Sequence, residues 1–159
     1  PGRPAGAGDA VAGGLPWGDR VPFLTRVWLK AALAYLVAAL ASGVVLLTPA
    51  LRDRWPWVGL LGPVYFHLFM VGWVTQTIFG VAYWMFPKAS PERPRGSEPL
   101  AMLTVVLLNG GLLLRAVSEP LNALYPRTVW GGLLAASAVL QWLAGMAFVA
   151  NTWGRVRGR

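Results

Sequence analysis

No cysteine occurs among the 159 residues, which excludes disulfides, zinc–thiolate sites, iron–sulfur clusters and covalently attached c-type heme. Histidine is reduced to a single residue, His67, and the carboxylates to six: Asp9, Asp19, Asp53, Glu92, Glu98 and Glu119. All six are read as lying outside the apolar stretches, so chemistry inside those stretches must use His67, a few methionines or a cofactor. Charge is scarce as well, at 13% of residues against a hydrophobic fraction of 56% and a mean hydropathy of +0.53. That balance belongs to integral membrane proteins, and the length suits one helical bundle. The net charge of +8 does not indicate nucleic acid, because the basic residues flank apolar stretches and form no patch interleaved with aromatics.

Residues 1–20 are rich in Gly, Pro and Ala without a continuous apolar core, so no cleavable signal peptide is expected there. The chain divides into a flexible Gly/Pro-rich segment, 1–22, a transmembrane domain, 23–154, and a basic tail, 155–159. Windows of about 20 apolar residues, the length that spans hydrocarbon, fall at Leu24–Leu47, Pro63–Phe86, Leu100–Val117 and Val129–Asn151. Pro49, Pro87 and Pro120 follow the first three windows, and Arg155, Arg157 and Arg159 follow the fourth, as helix stop signals. The expected fold is all-α: an integral membrane four-helix antiparallel bundle. One side of it collects 10 of the 14 basic residues and the other side 4 (Arg52, Arg54, Arg115 and Arg127), which puts both termini in the cytoplasm. Trp28, Trp55, Trp57, Trp84, Trp130 and Trp153 lie near segment ends and read as interfacial anchors. Small residues four apart, Ala34, Ala38 and Ser42 on the first helix and Gly131/Ala135 and Gly132/Ala136 on the fourth, suggest close helix approach.

An imidazole in lipid is costly and should have a partner. At 100° per residue, His67 shares a helix face with Met70, Val71, Val74, Ile78, Val81 and Met85, an apolar wall with one ligand at its outer end. Such a wall suits a flat apolar cofactor whose iron is held by imidazole nitrogen. The opposite face carries Gly72, Gln76 and Gly80, where another helix should approach, and Gln76, Asn109 and Gln141 all fall near mid-membrane. Arg115, just inside the third window, stands on the His67 side of the membrane. It could meet heme propionates or snorkel to lipid phosphate. The bland alternatives remain open: His67 bonded to a neighbouring carbonyl, Met70 and Met85 as packing, and the amides as structural glue.

The run from His67 to Pro87, HLFMVGWVTQTIFGVAYWMFP, resembles a helix of heme–copper oxidase subunit I, nearest the branch of C-type oxidases and nitric oxide reductases. It is more similar still to short four-helix membrane proteins labelled subunit I-like. The match covers this helix and the loop after it, PKASPERPRG. The resemblance implies heme association and a place in respiratory or photosynthetic electron-transfer membranes. Joined to the helix-face reading, it makes heme b held by His67, among Met70, Val71, Val74, Ile78 and Arg115, in a bacterial or archaeal inner membrane, the expectation. A full catalytic subunit carries many more helices and metal-binding histidines. This chain alone cannot build a copper site of three imidazoles or give one heme two histidines. A homodimer sharing heme between two copies of His67, a five-coordinate heme open to a diatomic gas, and a His67–methionine pair all remain possible. The competing classes are a cofactor-free subunit of a larger respiratory or photosynthetic membrane complex, and a metal or quinone protein using His67 with Met70 and Met85.

Overall fold

The computed structural model describes residues 21–88 and 95–156. The expected N-terminal segment up to residue 20, most of the loop after Pro87, and residues 157–159 of the basic tail lie outside these residues. Among the described residues every regular element is helical. α1 (Phe23–Leu47) leads through the short α2 (Pro49–Arg54) into a composite second span. There a 3-10 turn (Pro56–Leu61), α3 (Gly62–His67), a π-helical segment (Leu68–Thr75) and α4 (Gln76–Met85) run on without a break. α5 (Glu98–Leu124) and α6 (Thr128–Thr152) follow, ending in a 3-10 turn at Trp153–Arg155. Four stretches, Phe23–Leu47, Pro56–Met85, Glu98–Leu124 and Thr128–Arg155, are long and apolar enough to cross a membrane. On length and composition this is a multi-pass membrane protein.

Close contacts fix the direction of each span. A Cβ placed on Gly80 would stand 2.7 Å from Trp28 Cβ, one on Gly72 2.7 Å from Tyr35 Cβ, and one on Gly43 3.2 Å from Tyr65 Cε2. Numbers rise along α1 as they fall along the second span, so the two are antiparallel, and Gly72 and Gly80 are where α1 approaches, as their spacing suggests. The second span and α5 are antiparallel, since Gln76 meets Asn109 and His67 meets Glu119. α5 and α6 are antiparallel too, with Gly96 beside Asn151 and Gly111 beside Ser137 and Gln141. Four antiparallel spans bring the first and last helix ends to one side of the bundle.

The packing faces differ from the small-residue stripes read from sequence. α1 buries Thr25, Trp28, Ala32 and Ala39, whereas Ala34 and Ala38 are exposed and Ser42 donates back to the Ala38 carbonyl at 2.8 Å. Gly131, Gly132, Ala135 and Ala136 are likewise exposed, and α6 turns Ser137, Ala144 and Thr152 inward. Helices this rich in Ala and Gly offer several smooth faces, and the aromatics choose among them: Trp28 and Tyr35 fit only against a backbone without side chains. Trp28 is also no interfacial anchor, being 1% exposed and set edge-on to Phe79. Only 11% of the most apolar window is buried in each outer helix, α1 and α6, against 33% in α5, so the remaining apolar surface faces hydrocarbon or another chain.

At the terminus end, Arg155 is 3% exposed and closes the second span. Its Nε donates to the Pro87 carbonyl (3.0 Å), its Nη2 to those of Tyr83 (3.1 Å) and Phe86 (2.8 Å), and its Nη1 to that of Arg95 (3.4 Å). The last carbonyls of a helix have no intrahelical donor and carry the negative end of its dipole, so a guanidinium fork satisfies both needs. Arg155 therefore belongs to the bundle and not to a solvated tail. Nearby, Gly96 takes the positive φ (80°) that turns the chain into α5, Asn151 Oδ1 accepts from the Ser97 N–H at 2.8 Å, and the Ser97 side chain caps the helix by accepting from Leu100 N.

Candidate functional site

His67 is the last residue of α3. Its Nδ1 stands 2.8 Å from the Pro63 carbonyl one turn earlier. A carbonyl only accepts, so Nδ1–H donates and the neutral ring keeps its lone pair on Nε2. Nε2 has no hydrogen-bond partner among the described residues. Met85, at the far end of the span, lies 18 residues on, about 27 Å at helical rise, close to one hydrocarbon thickness. The imidazole thus lies in the half of the span away from the chain ends.

Its neighbour is a carboxylate that the sequence reading left outside the membrane. α5 does not stop before Pro120; it runs through it to Leu124, and Glu119 is carried inside. Glu119 Oε1 accepts from Arg115 Nη2 at 3.2 Å, one turn back, while Oε2 lies 3.8 Å from His67 Nδ1. Glu119 Oε2, Arg115 Nε and Ser118 Oγ are buried without hydrogen-bond partners. The carboxylate stands behind Nδ1, beyond hydrogen-bond length, while Pro63 takes the proton. The Pro63 carbonyl, as acceptor of Nδ1–H, fixes the ring's orientation and tautomer, as the groups behind metal-bound histidines do. The signal in the sequence was the Arg115/Glu119 pair at i, i+4 on an apolar helix, masked by reading Pro120 as a stop.

Directly after His67 the helix widens into its π segment, where Thr75 Oγ1 donates to the Met70 carbonyl five residues back at 2.9 Å. Such insertions frequently mark functional sites. This one also departs from 100° per residue. Met70 and Ile78 are 40% and 57% exposed, Val71 packs against both core clusters, and Val74 is half-buried. Of the six residues singled out, the structure brings His67 and Arg115 together, through Glu119.

Midway along the span, Gln76 and Asn109 exchange amide hydrogen bonds of 3.2 and 3.3 Å, and Asn109 also donates to the Val105 carbonyl at 2.8 Å. Gln141 does not join them: it packs at Gly111, and its Nε2 is buried without a partner. Among the described residues no group of three or more His, Cys, Asp or Glu could hold a metal ion. Cavities of about 350, 390 and 380 Å³ lie at the terminus end, and none is lined by His67. No family model, curated protein or solved structure matches this chain.

Proposed function

We propose that the protein is a b-type heme protein of a bacterial or archaeal inner membrane, with both termini cytoplasmic, acting in electron transfer or diatomic gas binding. The observation that carries this reading is the Nδ1–H bond to Pro63, which leaves Nε2 as an unpartnered lone pair within the membrane-spanning part of the chain. His67 would hold the iron, with the Pro63 carbonyl orienting the ring through Nδ1–H. Heme, when bound, supplies one-electron redox chemistry and a site for a diatomic gas. One imidazole per chain would supply one ligand to the iron, leaving another to a second copy's His67, a methionine or a gas, and the partial accessibility of the His67 side chain, 22%, supports completion by oligomerisation. Arg115 pairs with Glu119 through Nη2, and its remaining donors, Nε among them, would be available to a heme propionate. Protein purified in mild detergent from heme-replete cells should show a Soret band that His67→Ala abolishes while helicity is kept; a colourless wild-type protein would refute the assignment.

The same hydrogen bond favours a second reading, a cofactor-free subunit of a larger membrane complex, because a carbonyl already satisfies one nitrogen of the lone histidine. The exposed faces of α1 and α6 would then meet partner helices. Co-purification with a complex, and no heme in the isolated subunit, is the result that selects it.

A further inference from the structure

At the terminus end, remote from His67, a cavity of about 390 Å³ opens where the second span meets the α6 terminus. Lys88, Arg95 and Arg155 line it together with Trp84, Met85 and Phe86, and no carboxylate among the described residues does. We propose that this cavity binds the phosphodiester head group of an anionic membrane lipid.

The cavity straddles the end of an apolar helix: Met85 closes α4, and Lys88 lies three residues beyond it. Its walls therefore change from apolar to cationic over the depth at which a lipid changes from acyl chain to phosphate. Trp84 and Met85 are 43% and 70% exposed, giving the upper acyl chain an apolar surface and placing an indole at head-group level, where tryptophan concentrates. Arg155 spends its hydrogen bonds on four carbonyls, so its part is to fix the floor of the cavity and add charge. Arg95 is held in place through its own carbonyl, which leaves its guanidinium to the ligand. Basic pockets at the ends of membrane helices select anionic head groups by this arrangement, each cation near the surface strengthening binding by about fivefold.

The test uses the full chain purified in neutral detergent, with retained lipids counted by native mass spectrometry during titration with phosphatidylglycerol or phosphatidylcholine. Phosphatidylglycerol should be retained in preference, and Arg95→Gln should weaken it by about fivefold. The substitution keeps the backbone carbonyl that Arg155 uses, and unchanged helical circular dichroism verifies the fold. Arg52→Gln with Arg54→Gln, at the opposite end, should leave retention as in the wild type. Inorganic phosphate should fail to displace the lipid, which separates a lipid site from a free-phosphate site. Equal retention of the two lipids, equal loss with the Arg52/Arg54 pair, or displacement by inorganic phosphate alone would overturn the proposal.

Discussion

Replacing Arg155 should cost far more than replacing a charge at the end of a chain. Three of its four carbonyl contacts are 2.8–3.1 Å long and the fourth is 3.4 Å. Hydrogen bonds to a charged group contribute about 1.5–3 kcal/mol each. The carbonyls regain some water when the guanidinium is removed, and burying the cation has its own desolvation cost. Three short bonds at the lower limit give about 4.5 kcal/mol, and these offsets reduce the loss to about 3–4 kcal/mol for Arg155→Met, which keeps the apolar stem packed near the Tyr83 and Phe86 rings. Arg155→Lys retains the charge, but a compact ammonium cannot reach carbonyls on four residues, so about half the loss is expected. Unfolding in mixed micelles, followed by helical circular dichroism, measures both. A Met variant within about 0.5 kcal/mol of wild type, the scatter of ordinary surface substitutions, would show that water serves the carbonyls equally well and that the staple contributes nothing.

Glycine substitutions should separate by environment. Gly80→Ala, whose Cβ would stand 2.7 Å from Trp28 Cβ, should destabilise by about 1–2 kcal/mol once the helix-propensity gain is subtracted, whereas Gly110→Ala and Gly145→Ala, with nothing within 4 Å, should be neutral or stabilising in the same assay. A double-mutant cycle of Gln76→Leu and Asn109→Leu should return a coupling of about 0.6–1.7 kcal/mol; no coupling would mean that the reciprocal amide bonds contribute nothing between these spans. Glu119→Gln leaves a largely buried Arg115 unbalanced and should destabilise by about 1–3 kcal/mol, less than a fully buried pair because both side chains keep some access. Arg115→Leu with Glu119→Gln should recover most of that loss.

The spans were legible because hydrocarbon imposes a length that composition alone reveals, and α1 and α6 agree with their apolar windows to within a residue at each end. The approach of α1 at Gly72 and Gly80 was legible too, since absent side chains are visible in sequence. Three features were not. Pro120 reads as a helix stop in water, yet a membrane helix tolerates it where neighbouring groups absorb the freed carbonyl, and that hid Glu119. The π segment has no compositional mark, and a 3.6-residue wheel does not apply across it. Arg155 is one of several arginines near the chain's end, and only the path of the chain shows which of them meets the carbonyls of the second span.

The reading of His67 as an iron ligand is tested most directly by the optical spectrum of the purified protein, oxidised, reduced, and reduced under carbon monoxide, beside His67→Ala. Heme held by Nε2 gives a Soret band in the wild type and none in the variant. A carbon monoxide shift would then mark a five-coordinate heme, and its absence a second ligand from another copy. A wild-type protein without a Soret band, or a His67→Ala protein with the same band, would contradict the assignment.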